Sequence, residues 1–375
     1  MRPPFRADHV GSFLRPPRLR EARTQFQQGK ISAIAMRATE DECIREVVRW
    51  QEELGLQSIT DGEFRRSFYH TDFLARLEGV SATRDTHHVS YQGRRKNLEY
   101  DVPVPVVSGK LRRVSSLAVE EVQFLRSVTA GTAKVCIPAP SMLHFHGGRR
   151  AVDQDAYPRM EDFFADLERI YREELAALYA AGCRYVQLDD PNIAFLCDPR
   201  QCDRMRALGE DPEALPGLYA DVIHQSIRER PQEMAVTVHL CRGNFSSTGA
   251  ARGGYEAVAE AVFGRMGADG FFLEFDDERS GGFEPLRFVP RNGPTVVLGL
   301  VSTKRSELER REMLLERIDK ATRYVDLAQL AISPQCGFSS THYGTDLTVE
   351  EQAAKIRLVV AVAEEVWGRA SIRVP

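Results

Sequence analysis

The sequence predicts an α/β fold: a (β/α)8 TIM barrel with an extended insertion after its second strand. Three observations carry that expectation. Eight short apolar runs recur along the chain, and nearly all are followed by amphipathic stretches of good helix formers. Each run ends in polar residues able to bind ligands or catalyse, which in a barrel share one face. The G-x-G-x-x-G turn of a doubly wound sheet is missing, since Gly11 after the first run has no such pattern around it.

The runs come in this order. Phe5 to Val10 ends in Gly11-Ser12-Phe13, and a helix is expected over about Ala33 to Leu54. Gln57 to Thr60 ends in Asp61-Gly62-Glu63. Ala133 to Ile137 ends in Pro138-Ala139-Pro140-Ser141, and Glu161 to Ala181 reads as a strong helix stopped by Gly182. Tyr185 to Leu188 ends in Asp189-Asp190-Pro191, before a helix from about Leu215 to Glu229. Met234 to Val238 ends in His239-Leu240-Cys241, and Tyr255 to Phe263 is expected to be helical. Gly270 to Leu273 ends in Glu274-Phe275-Asp276. Thr295 to Leu300 ends in Val301-Ser302-Thr303-Lys304, before a helix over Leu308 to Val325. Leu327 to Ile332 ends in Ser333-Pro334-Gln335-Cys336, and Val349 to Trp367 closes as a helix. Short, branched, continuous apolar runs are what buried parallel strands look like.

One domain over 1–375 is expected, with the insertion at about 78–125. That stretch alternates polar residues with Tyr91, Leu98, Tyr100, Val102 and Val104, so it reads as an extended hairpin over one barrel mouth.

Composition excludes several function classes. Hydrophobic residues at 43% and charged residues at 28% rule out a mostly disordered chain. Lys plus Arg number 50 against 54 Asp plus Glu, a net charge of -4, so no basic footprint for nucleic acid exists. No stretch of 18 apolar residues could span a membrane, and the Pro- and Arg-rich start lacks the apolar core of a secretory signal. Seven scattered cysteines, an odd number, suit a reducing compartment, so a cytoplasmic location is expected.

The strand ends carry the chemistry. His239 and Cys241 lie two residues apart, on one side of a strand. Glu274 ends the next strand and Cys336 the last. One imidazole, two sulfurs and a carboxylate suit a tetrahedral Zn2+, with the carboxylate the most exchangeable. The bland alternative is a core histidine with two buried cysteines. Two thiolate ligands lower the Lewis acidity of zinc and favour a sulfur nucleophile over hydrolysis. Asp61, Glu63, Asp189 and Asp190 sit at other strand ends. Glu63 and Asp189 are expected to hold an ammonium group; Asp61 and Asp190 are expected to cap or support. Gly11 and Ser12 could offer N–H groups to a carboxylate, or merely form a turn. His70, His144 and His146 follow strand ends, and His146 is expected to line the pocket.

Five segments carry a resemblance: His9-Val10-Gly11-Ser12-Phe13, Thr60-Asp61-Gly62-Glu63-Phe64, Gln187-Leu188-Asp189-Asp190-Pro191, His239-Leu240-Cys241 and Ser333-Pro334-Gln335-Cys336-Gly337. In this order the chain resembles the catalytic, C-terminal half of cobalamin-independent methionine synthase, in a short form. The resemblance implies a zinc barrel that methylates homocysteine, a step of methionine biosynthesis. By position, His239, Cys241, Glu274 and Cys336 would be the zinc ligands, and Ser12, Glu63 and Asp189 would hold homocysteine. The donor half departs from the family. The family's tryptophan after the third strand is replaced by Met142-Leu143-His144-Phe145-His146, and an acidic pterin contact falls near Phe195. The family's proton-donating histidine falls near Lys304, which becomes the expected acid.

The leading expectation is a zinc-dependent S-methyltransferase acting on homocysteine. Its donor would be methyltetrahydrofolate or another methyl carrier. A runner-up keeps the zinc and changes the thiol, as in epoxyalkane:coenzyme M transferase, with Arg65, Arg66 and Arg242 answering a sulfonate. A reading of another class is a non-catalytic zinc-binding barrel. Small molecules are the expected partners, without nucleic acid or membrane, and a homo-oligomer stays open.

Overall fold

The structure is a computed structural model. It describes residues 2–92, 97–341 and 344–368, with side chains for all of these except 82–92, 97 and 100–104. The strands are β1 (Ser58–Ile59), β2 (Glu78–Gln92), β3 (Asn97–Arg112), β4 (Thr132–Pro138), β5 (Tyr185–Asp189), β6 (Ala235–Leu240), β7 (Gly270–Glu274), β8 (Thr295–Val301) and β9 (Leu330–Pro334). Seven of them form one curled parallel sheet in the order β1-β4-β5-β6-β7-β8-β9. Neighbours in sequence are neighbours in space, as right-handed crossovers through helices require. β5, β6 and β9 are buried along their whole length, which explains their continuous apolar runs.

One expected strand is a correction. The run Phe5 to Val10 makes no ladder with β1 and only a single bridge, Ala7 to Ile332. Asp8 N–H donates to Ile332 O at 3.1 Å, and Ile332 N–H to Arg6 O at 2.9 Å. The other side of the run is held by side chains. Asp8 accepts from Ser58 Oγ at 2.7 Å, Tyr185 Oη at 2.9 Å and Lys134 Nζ at 3.1 Å. His9 Nε2 meets Ser58 O at 2.9 Å. A fully buried polar clasp therefore closes the barrel where backbone pairing stops. β1 is short for the same reason, with two residues in register against β4.

The helices pack outside the sheet. Ala33–Glu53 is capped by Ser32, and Val349–Trp367 opens with a capping box between Thr348 and Glu351. Met160–Ala180 and Leu215–Ile227 bury their apolar stripes against the sheet and each other. Leu327 to Gln329 forms a single 3-10 turn before β9, so the last strand starts later than its apolar run. β2 and β3 make the expected antiparallel hairpin, pairing Glu78 with Arg112 at its base and Gln92 with Asn97 at its tip. Residues 119–128 are helical (Val119–Val128) and pack back on β4. The start of that helix is satisfied by buried Glu174, which accepts from Leu117 N–H at 3.0 Å and Ala118 N–H at 2.8 Å.

Candidate active site

The carboxyl ends of the parallel strands surround a cavity of about 90 Å3. That is several times the roughly 10–15 Å3 one water needs on the same measure. Strands far apart in sequence deliver its polar residues. Asp189 ends β5, His239 lies near the end of β6 with Cys241 just after it, and Cys336 follows β9.

His239, Cys241 and Cys336 converge. One donor atom from each lies within 4.8 Å of the others, and all three residues are buried. The two sulfurs interact directly, which lowers the Cys241 thiol well below its ordinary range and raises that of Cys336. Burial opposes charge on His239, but the Cys241 sulfur and the Asp189 carboxylate outweigh it and push the imidazole up to about 10. The ring is aimed by Asp189, whose Oδ1 lies 3.1 Å from Nδ1. Asp189 is itself fixed by Gln187 Nε2, which donates at 2.8 Å and also reaches Val10 O at 2.8 Å. The sequence hid this arrangement because it comes from pairing, Asp189 against His239, and not from spacing.

Glu274, the fourth residue of the expected metal set, is not in that trio. Its Oε1 accepts from Lys304 Nζ at 2.7 Å and its Oε2 from Arg242 N–H at 2.7 Å, with Arg279 at 3.6 Å. Burial raises its pKa, but Lys304, Arg242 and Arg279 outweigh that and hold it at about 2. Lys304, the expected acid, is thus an ion-pair partner, and neither it nor Glu274 lines the cavity. Burial favours the neutral amine, yet Glu274 and Asp276 raise the Lys304 pKa.

Glu63, Asp189 and Cys136 cluster, one donor atom of each within 4.8 Å of the others. Burial and the Asp189 charge push Glu63 up to about 7, against Arg66 and Arg15. Glu63 Oε2 is buried without a hydrogen-bond partner among the described residues. Its backbone has φ 60°, a conformation uncommon for a non-glycine residue. The Asp61 side chain holds it there by accepting Glu63 N–H at 2.9 Å. Buried Arg15 clamps the same loop, donating to Glu63 O at 3.1 Å and Arg66 O at 2.8 Å while its other nitrogen holds Ser339 and Thr341. Gly11 packs against Glu63 and Cys136 at φ 125°, where a Cβ would sit 2.5 Å from Cys136 Sγ and 3.3 Å from Glu63 Oε1. Burial keeps that thiol well above its ordinary range, so Cys136 stays neutral behind the cavity lining.

Ser12 lines the cavity, and its Oγ accepts Ser339 N–H at 3.3 Å. Asp190 caps the short helix Pro191–Phe195 and accepts Ser141 Oγ at 2.9 Å. His144 is turned away, its Nδ1 2.8 Å from the Tyr219 hydroxyl. His146 does line the cavity. Sequence reasoning missed Cys136 and Arg15, and named His70 without giving it a role. The His70 ring lies 6.0 Å from that of His146, and burial pushes it down to about 4. No motif marks it, and only the turn after β1 brings it inward.

Fold and site together define a class: a parallel α/β barrel with an imidazole–dithiol cluster beside paired carboxylates. The family model described as "Cobalamin-independent synthase, Catalytic domain" matches residues 5–365, and the chain belongs to that family. It is 44% identical over 365 residues to a Bacillus subtilis (strain 168) protein named "Uncharacterized protein YxjH", covering 97% of this chain and 95% of that one. It is 25% identical over 365 residues to the 5-methyltetrahydropteroyltriglutamate–homocysteine methyltransferase of Synechococcus sp. (strain JA-2-3B'a(2-13)). That match covers 97% of this chain and 43% of the longer protein. Among solved structures, a candidate vitamin-B12 independent methionine synthase from Listeria monocytogenes superposes with a TM-score of 0.78 at 36% identity, covering 98% of this chain and 100% of that one.

Proposed function

We propose that the chain is a zinc-dependent methyltransferase that moves a methyl group onto the thiol of homocysteine, giving methionine. The observation that carries the reading is one cavity holding both His239, Cys241 and Cys336 and the carboxylates of Glu63 and Asp189. The donor set fits zinc, since two sulfurs and an imidazole converge in a buried pocket and a carboxylate aims the imidazole. His239, Cys241 and Cys336 would hold the ion, with Glu274 as a fourth ligand in competition with Lys304. A bound zinc lowers the pKa of a coordinated thiol and keeps it nucleophilic at neutral pH.

The remaining residues bind and orient. Glu63 Oε2 and Asp189 receive the substrate ammonium. Ser12, which lines the cavity, and the adjoining Gly11 offer backbone N–H groups to the substrate carboxylate. The proposal treats residues 1–375 as one domain, with the β2–β3 hairpin beside the mouth. No helix of the described residues is long and apolar enough to cross a membrane.

A sulfonate thiol such as coenzyme M is less well supported. Arg65 is paired with Glu40 and Asp41, and Arg242 donates to Gly253 O and stacks on Tyr255. Neither they nor Arg66 line the cavity. A non-catalytic barrel leaves the unpartnered Glu63 carboxylate without a purpose. The test is homocysteine binding by zinc-loaded protein, then methionine formation with a panel of methyl donors. Absence of homocysteine binding would sink the proposal.

A further inference from the structure

Part of the cavity lining is aromatic and unlike the rest of the site. Phe68, Tyr69, His70, His146, Phe195 and Phe245 contribute to it, with the Tyr69 and His70 rings 4.5 Å apart and those of His70 and His146 6.0 Å apart. His70 is 5% exposed, and both of its ring nitrogens lack a hydrogen-bond partner among the described residues. Asn244 also lines the cavity, and its Oδ1 is buried and unpartnered in the same sense. Burying polar atoms unpaired costs about 1–3 kcal/mol each, so such atoms in a cavity wall point to a ligand. No arginine or lysine lines this cavity among the described residues.

We propose that this aromatic wall is the methyl-donor subsite, and that it takes a compact alkyl sulfonium whose cationic sulfur packs on the rings. The proposal rests on the thiol-methyltransferase reading above and names its donor class. Aromatic faces attract a desolvated cation, and the carboxylates in the same cavity add a negative field. A neutral imidazole and an amide oxygen can face polarised S–CH3 groups, which are weak C–H donors. The leaving group gives a second, chemical argument. A methyl group removed from a neutral tertiary amine leaves the electron pair on nitrogen, which an acid must protonate. Lys304 is tied to Glu274 outside the cavity, and His70 is held uncharged at neutral pH. A sulfonium needs no acid. The thiolate sulfur forms the new S–C bond, the old C–S bond breaks, its electron pair stays on the departing sulfur, and a neutral thioether leaves. Both charges vanish in this step, and a dry, apolar wall favours a reaction that annihilates charge.

The experiment offers S-methylmethionine and dimethylsulfoniopropionate, each with deuterated methyl groups, to zinc-loaded protein with homocysteine. Methyltetrahydrofolate with one or several glutamates is the comparator. Homocysteine binding is measured separately by calorimetry. The expected result is deuterated methionine from a sulfonium, well above that from the folates. Phe195→Leu and His70→Leu should each raise the sulfonium KM roughly tenfold, the scale of a desolvated cation–π contact, with homocysteine affinity unchanged. Homocysteine binding with no transfer from either sulfonium overturns the donor assignment alone. So does an unchanged sulfonium KM in both variants. Failure to bind homocysteine overturns the thiol reading and the donor assignment with it.

Discussion

Asp189 Oδ1 lies 3.1 Å from His239 Nδ1, and the two residues are direct neighbours in the β5–β6 register. A carboxylate at that distance fixes the proton on Nδ1 and leaves the other ring nitrogen for the sulfurs. Asp189→Asn is expected to weaken zinc binding by roughly 10–100-fold, as loss of such a partner does. Competition with a chromophoric chelator measures it. Unchanged affinity would show that the ring is oriented by packing alone.

Glu63 sets a pH dependence of substrate binding. Its folded pKa is about 7, above the ordinary carboxylate range, because it is buried and faces Asp189. The proton must leave before the carboxylate can grip an ammonium group. Homocysteine affinity should therefore fall as pH drops below about 7, approaching tenfold per unit well below it. Glu63→Gln should flatten that profile and weaken binding at pH 8. Calorimetry between pH 5.5 and 8 decides it, and an identical profile in Glu63→Gln would move the titration elsewhere. The same shift destabilises the fold with rising pH. The folded state holds this proton more tightly than the unfolded chain, so its stabilising contribution is complete below the unfolded pKa and lost by about pH 7.

His239→Ala and Cys336→Ala should each lose most bound zinc, because each removes one of three converging ligands. Metal content after gel filtration reads this directly. With cobalt in place of zinc, saturating homocysteine should change the visible spectrum, as direct sulfur coordination requires. Full metal retention in both variants would remove the site.

The barrel was legible from the sequence because parallel strands buried on both faces are written as unbroken apolar runs. β4 to β9 follow those runs closely, though β9 begins after a 3-10 turn. The run at Phe5 to Val10 has the same composition but lacks a backbone ladder, because Asp8, Ser58, Lys134 and Tyr185 close that seam by side chains. Such a clasp joins residues up to 177 positions apart and leaves no periodicity. His239, Cys241 and Cys336 were readable because strand ends share a face. The Lys304–Glu274 pair was not, since a charge at a strand end reads equally as acid, ligand or counter-ion until its partner is seen. His70 was named without a role for a related reason: a histidine after a strand end is ordinary until both its nitrogens are found buried and unpaired.

Lys304 separates two roles that stability and kinetics tell apart. Its ammonium lies 2.7 Å from Glu274, and the two side chains are 8% and 0% exposed. Lys304→Met leaves a carboxylate buried with only Arg242 and Arg279 to answer it, which should cost about 3 kcal/mol in urea unfolding. Glu274→Gln in the same chain removes the stranded charge. The double variant should then be markedly more stable than the sum of the two single losses predicts, since contacting residues couple. An acid in the reaction would behave otherwise. Lys304→Met would also remove the basic limb of the pH–rate profile, a change that loss of a counter-ion alone does not make. With Lys304 outside the cavity and bonded to Glu274, the coupled result is the expected one.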